Sequence, residues 1–240
     1  MLAALGERQA VLVGHDLGAW IAAAAARLRP DLFPALALVS TVVPPRDPQR
    51  PSTGWAEIEA RTGGRFYHHY FQQPGLVDTQ FDQDPAVSLR SIYNAISGTA
   101  SEAERWRLIV MPGETALDTM PDPGHAPAWL GEEALAEYVR HYAAGGFTSP
   151  LAHYRCRDLS WDLTAAWAGQ AINQPSLFVG GAADPALTAM QPLYDRMEEI
   201  YPGLVRKVLL PGVGHGAPEE SPDQISDELI EFLGQMKMVS

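Results

Sequence analysis

The 240-residue chain has a single cysteine, Cys156, so no intrachain disulfide can form. That fits a reducing compartment, and Cys156 is expected as a packed or half-exposed thiol. Basic residues are also scarce. Seventeen Lys and Arg stand against 29 Asp and Glu, a formal net charge of −12. This balance argues against nucleic acid or any other polyanion as a partner. Long apolar runs are missing: Ala19 to Ala26 falls far short of the roughly 20 residues a membrane-spanning helix needs. The N-terminus shows no basic segment followed by a long apolar run, so no secretory signal is read there. The expectation is a soluble, cytoplasmic protein without a membrane partner. His68, His69, His125, His141 and His153 show no metal-ligand spacing, and no Gly-x-Gly-x-x-Gly follows a strand. Neither a metal nor a cofactor is expected.

What the sequence does have is enough apolar material for a sizeable core, 46% hydrophobic and 9% aromatic residues, with a charged fraction of only 19%. Ala10–Val13 reads as a short buried strand. Leu17–Arg29 has high helix propensity, and Pro30 stops it. Leu36–Ser40 is a second apolar strand, and two such strands around a helix indicate a parallel sheet. From the Pro-rich exit at Pro44–Pro45 to about residue 170, strand signals are weak. Aromatic residues, Gly, Pro and short helical patterns dominate, with an amphipathic helix over Glu132–Ala144. Strand character returns at Ser176–Gly180 and Val205–Leu210. Helices are expected at Met190–Ile200 and Asp223–Met236. The expected organisation is therefore a core segment over 1–44, a helical insertion over 45–170 and the remainder of the core over 171–240.

The chemistry concentrates at strand ends. Gly14-His15-Asp16-Leu17-Gly18 lies between the first strand and the first helix. It matches the nucleophile elbow of the α/β-hydrolases, in which a sharp turn exposes the attacking residue. Two further polar residues follow strands, Asp184 and His215, in the chain order nucleophile, acid, base. Ligands in open α/β sheets gather at the carboxyl ends of strands. Asp in place of Ser at the elbow narrows the reaction. A carboxylate that attacks a saturated carbon forms an ester, which water can cleave at the enzyme's own carboxyl carbon. A Ser would form an ether, which water does not readily cleave. His215 is then the general base for that water, and Asp184 orients its ring. Leu17 supplies the backbone N–H after the nucleophile, one donor of an oxyanion hole, and with His15 it is expected to line the substrate site. No His-Gly-x-Pro-like segment precedes residue 10, so no second donor is expected from this chain.

With these residues in place, the chain resembles the soluble epoxide hydrolases of the α/β-hydrolase superfamily. The likeness runs over nearly its whole length. Gly14-His15-Asp16 matches the elbow. Tyr67-His68-His69-Tyr70-Phe71-Gln72-Gln73-Pro74-Gly75 resembles the family's Tyr-x-x-Tyr-Phe-Gln-x-Pro-Gly segment. Gly145-Gly146-Phe147-Thr148-Ser149-Pro150-Leu151-Ala152-His153-Tyr154-Arg155 resembles its Ser-Gly-Phe-x-Gly-Pro-Leu-x-x-Tyr-Arg segment. The resemblance implies an α/β-hydrolase fold, here the C-terminal part of its mostly parallel sheet, with an inserted helical cap. It also implies that Tyr67 and Tyr154 donate hydrogen bonds to the oxygen of a small-molecule epoxide, which is opened to a vicinal diol. Tyr70 and Phe71 are expected to pack.

The chain departs from the family pattern in three places. Leu17 stands where Trp is usual, Gly216 where an aromatic residue is frequent, and the strands that precede the elbow in the family have no counterpart. The first strand is then expected as an uncovered edge, which implies a fragment, a homo-oligomer or a second chain completing the sheet. Two alternatives stay open: a dehalogenase with the same Asp nucleophile, and a non-catalytic truncated fragment or interaction module.

Overall fold

The computed structural model describes residues 2–236. After a 3-10 turn at Leu2–Leu5 the chain enters strand β1 (Leu12–His15), helix α1 (Leu17–Leu28) and strand β2 (Leu36–Val39). It then runs through α2 (Pro51–Thr62), β3 (Arg65–Phe66), α3 (Tyr67–Tyr70), α4 (Leu76–Asp82), α5 (Pro85–Ala95), β4 (Ile109–Val110), α6 (Gly131–Gly145), α7 (Thr148–Arg155) and α8 (Arg157–Leu163). Strand β5 (Ser176–Gly181) follows, then α9 (Pro185–Ala189), α10 (Gln191–Asp195), α11 (Met197–Ile200), β6 (Leu204–Leu210), α12 (Ala217–Glu220) and α13 (Pro222–Met236).

The chain divides into two compact units. One comprises the chain up to Arg46 together with Trp167 onwards, and the other is Asp47–Ala166. In the first unit, four parallel strands lie in the order β1-β2-β5-β6, with Val13 opposite Ala37 and Leu38 opposite Phe178. Strand side chains alternate between the faces of a sheet, and here both faces are apolar. Leu36, Leu38 and Phe178 pack with Ala19, Ala23 and Ala26 of α1 and with Leu187 and Met197. Ala37, Val39, Leu177 and Val179 pack with Ala217, Ile225 and Phe232 of the closing helices. That two-sided burial explains why β2 and β5 read as continuous apolar runs. β1 lies at the edge of this sheet, and Val13 is 49% exposed.

The second unit is mostly helical, around Tyr70, Phe71, Val77, Phe81, Leu89, Leu135, Phe147 and Leu151. It also contains a small antiparallel pair, with Arg65 opposite Val110 and Phe66 opposite Ile109. Strands of two residues leave no readable alternation, so the sequence did not reveal them.

Three expectations shift. The first strand covers Leu12–His15 rather than Ala10–Val13, because its ladder with β2 starts at Leu12↔Leu36 and runs to the elbow. The helix expected over Met190–Ile200 is interrupted and becomes α10 and α11. The break falls at Arg196 (φ −103°), whose N–H bonds the Leu193 carbonyl at 3.2 Å, a 3-10 turn in place of the α-helical bond to the Pro192 carbonyl. The sole cysteine, Cys156, is exposed.

Candidate active site

The site in the first unit is assembled at the carboxyl ends of β1, β5 and β6. At the elbow, Asp16 adopts φ 51°, ψ −115°, a conformation that costs a non-glycine residue on the order of 1–3 kcal/mol. It is held because the strand on one side and the helix on the other leave no alternative. The Asp16 N–H donates to the Val39 carbonyl at 3.2 Å, and the Ala19 N–H donates back to the Asp16 carbonyl at 3.0 Å. A β-carbon on Gly14 would collide with the Gly18 carbonyl, so the first glycine of the elbow is a spatial requirement; at Gly18 the same atom would meet open space. The turn lifts the Asp16 side chain, 40% exposed, to the start of α1. There the positive end of the helix dipole favours the carboxylate.

The other two residues are brought together by stitching two loops. The Ala183 N–H donates to the Val213 carbonyl at 2.9 Å, and Ala182 N–H to the Leu210 carbonyl at 2.9 Å. A β-carbon on Gly181 would overlap the Val213 and Gly214 carbonyls. The Gly214 N–H donates to the Glu220 carboxylate at 2.9 Å, tying the loop to α12. Asp184 is fully buried and uses both oxygens: Oδ1 accepts the Ala186 N–H at 2.7 Å as the N-cap of α9, and Oδ2 lies 2.8 Å from His215 Nδ1. A carboxylate can only accept, so the proton of that bond sits on Nδ1. Nε2 then faces Asp16, at 3.3 Å from Oδ1.

The electrostatics follow from two carboxylates around one imidazole. Burial alone would lower the His215 pKa. The hydrogen bonds and charges of Asp16 and Asp184 outweigh it and hold the pKa at about 10, so the resting ring is an imidazolium. For Asp16, desolvation would raise the pKa. The hydrogen bond and charge of His215, the Leu17 N–H and the charge of His15 outweigh that and lower it to about 2. His15 itself donates from Nε2 to the His215 carbonyl at 2.8 Å, with the rings 5.3 Å apart. Its side chain thus braces the base's loop, while Leu17 reaches Asp16 through its backbone.

In the second unit, Tyr67 opens α3 and Tyr154 lies near the end of α7, with ring centroids 5.9 Å apart and ring planes inclined by 74°. Trp106 lies 4.5 Å from the Tyr67 ring, and Phe71 lies 5.0 Å from the Tyr154 ring. Tyr70 and Phe71 are buried in the core of this unit. Among the described residues there is no cluster of His, Cys, Asp or Glu able to hold a metal ion.

Sequence reasoning gave no role to Gln72, Asp78 or Arg155. The Gln72 amide donates to the carbonyls of His68 (2.7 Å) and Tyr154 (2.8 Å). Arg155 donates to the Phe71 carbonyl at 3.1 Å and grips the buried Asp78 carboxylate through both terminal nitrogens, at 3.2 and 2.5 Å. The available signal was Gly75-x-x-Asp78 ahead of an apolar helix, a capping pattern that the structure realises with a Gly75 N–H to Asp78 bond at 3.2 Å.

A parallel sheet with an acidic elbow, and with an acid and a His on later strand ends, defines an α/β-hydrolase. The family model described as alpha/beta hydrolase fold matches residues 1–222. The chain is 34% identical to epoxide hydrolase A of Mycobacterium tuberculosis over 235 residues, 98% of this chain and 71% of that protein. It is 32% identical to an epoxide hydrolase of Caballeronia sordidicola, over 97% of this chain and 69% of that one. Among solved structures, an epoxide hydrolase from an endophytic Streptomyces superposes with a TM-score of 0.92 at 38% identity, covering 98% of this chain and 71% of that one. Epoxide hydrolase A from Mycobacterium thermoresistibile gives 0.86 at 37%, covering 97% and 71%. The chain belongs to the epoxide hydrolases of the α/β-hydrolase superfamily.

Proposed function

We propose that the protein opens small-molecule epoxides to vicinal diols through an ester on Asp16. The observation that carries this reading is the Asp16–His215–Asp184 arrangement, a carboxylate nucleophile facing an imidazole that a second, buried carboxylate orients. An Asp16 oxygen attacks one ring carbon, the carbon–oxygen bond of the epoxide breaks, and the leaving oxygen takes a proton from Tyr67 or Tyr154. That proton matters because an unprotonated alkoxide is a poor leaving group.

Once the ester exists, Asp16 no longer carries charge. One of the two carboxylates that hold the His215 proton is gone, so the ring gives that proton up to solvent, and the tyrosinate left by ring opening takes one back from solvent. Neutral His215 then takes a proton from water, whose oxygen attacks the Asp16 carboxyl carbon. The Leu17 N–H stands ready for the negative oxygen that develops there. Collapse releases the diol and restores the carboxylate.

No finding favours halide displacement or a non-catalytic role. Among the described residues no helix is long and apolar enough to cross a membrane, and a cytoplasmic location accords with the single free cysteine. The test is a His215→Gln variant mixed with styrene oxide and analysed by peptide mass spectrometry. The expected result is a stable adduct of one epoxide mass on the peptide containing Asp16, absent from Asp16→Asn. An adduct elsewhere, or none, contradicts the assignment.

A further inference from the structure

The backbone segments next to Tyr67 and Tyr154 are tied to each other twice. The first tie is Gln72. Its amide nitrogen has two hydrogens, and it bonds the carbonyl of His68, the residue after Tyr67, and the carbonyl of Tyr154 itself. Both acceptors lie where short helices end, and carbonyls at helix ends lack intrahelical partners. The second tie is Arg155, which joins the Phe71 carbonyl to Asp78. The Thr148 side chain, at the start of α7, also favours the ionised Asp78 carboxylate. Arg155 and Asp78 keep 16% and 4% of their side chains exposed. The pair is thus a fixed strut rather than a solvated surface contact.

We infer that Gln72 is a positioning residue that sets the separation of the two phenols, with the Asp78–Arg155 pair as its rigid backing. The inference rests on the reading of Tyr67 and Tyr154 as the acids of ring opening. Two donors serve one epoxide oxygen only if their spacing is held to a fraction of an ångström, and a misplacement of about 1 Å costs on the order of a hundredfold in rate. The Gln72 side chain touches the backbone beside both. It should therefore act on ester formation, where the phenols give their proton, and not on ester hydrolysis, which belongs to His215 and Asp184.

The test is single-turnover kinetics with styrene oxide, following tryptophan fluorescence to separate ester formation from hydrolysis. Gln72→Met keeps the side-chain length and removes both donors; Gln72→Glu, which also lacks them at neutral pH, serves if the first variant fails to fold by circular dichroism. Ester formation is expected to slow by about tenfold, while ester hydrolysis stays within about twofold. In a Tyr154→Phe background, the same change should lose most of its effect, because there is no second phenol left to place. Equal slowing of both steps, an unchanged factor in the Tyr154→Phe background, or no slowing at all overturns the inference. Tyr67→Phe and Tyr154→Phe separate the two readings. If neither slows ester formation, the acid assignment itself fails. If they do and Gln72→Met does not, only the positioning role fails.

Discussion

At the scale of single residues, His215 carries two opposite demands. It rests as an imidazolium between Asp16 and Asp184, and in the proposed reaction it must act after attack as a neutral base. The pH dependence of the two half-reactions should differ accordingly. Asp16, with its pKa lowered to about 2, is ionised throughout the working range and imposes no acid limb on ester formation between about pH 5 and 9. Ester hydrolysis needs neutral His215, so its rate should rise with pH and level off. The pH midpoint should lie below the resting value of about 10, because the ester has removed one carboxylate. Single-turnover rates across that range check this. A hydrolysis rate that falls as pH rises would contradict the assignment of His215 as base. Residue identity was the most legible level in the sequence. Asp16, Asp184 and His215 follow strand ends, and position in a parallel sheet converts that pattern into proximity. Their distances were not legible, because they depend on Gly181 letting two loops close on each other and on Glu220 fixing the Gly214 N–H.

At the scale of elements, the second unit depends on a pair that the sequence did not advertise. Asp78 and Arg155 are 77 residues apart, and no local pattern links them; only folding of α4 against α7 does. Desolvation would raise the Asp78 pKa, and the Arg155 and Thr148 bonds more than offset it, lowering it to about 2. A carboxylate whose pKa is lowered on folding stabilises the native state above its unfolded value of about 3.9, and that contribution is lost as pH falls through about 2. Arg155→Met leaves the buried carboxylate without its partner, a change that costs about 3–5 kcal/mol. Denaturant melts should show a loss of that size at pH 7, shrinking between about pH 4 and 2 as Asp78 protonates. A loss below about 1 kcal/mol at pH 7 would place the pair among ordinary surface bridges. The interrupted helix before β6 and the small β3–β4 pair were hidden for simpler reasons: one breaks at Arg196, where no Gly or Pro signals a stop, and the other is too short to show a period.

At the scale of the whole molecule, the α/β core was readable because two apolar strands around an Ala-rich helix leave few other packings. The buried Ala19, Ala22, Ala23 and Ala26 let α1 approach the sheet closely, and the elbow exists because of that approach. The Asp47–Ala166 unit is mostly helical and carries both tyrosine segments. The proposed function rests on Asp16 bonding covalently to substrate and on water entering at its carboxyl carbon. A single turnover in H₂¹⁸O tests this directly, with enzyme in excess over styrene oxide. The label is expected in the Asp16 peptide, and the first diol formed should carry none, since its new oxygen comes from the Asp16 carboxylate. Label in the diol after that first turnover, with none in Asp16, would mean direct attack by water and would contradict it.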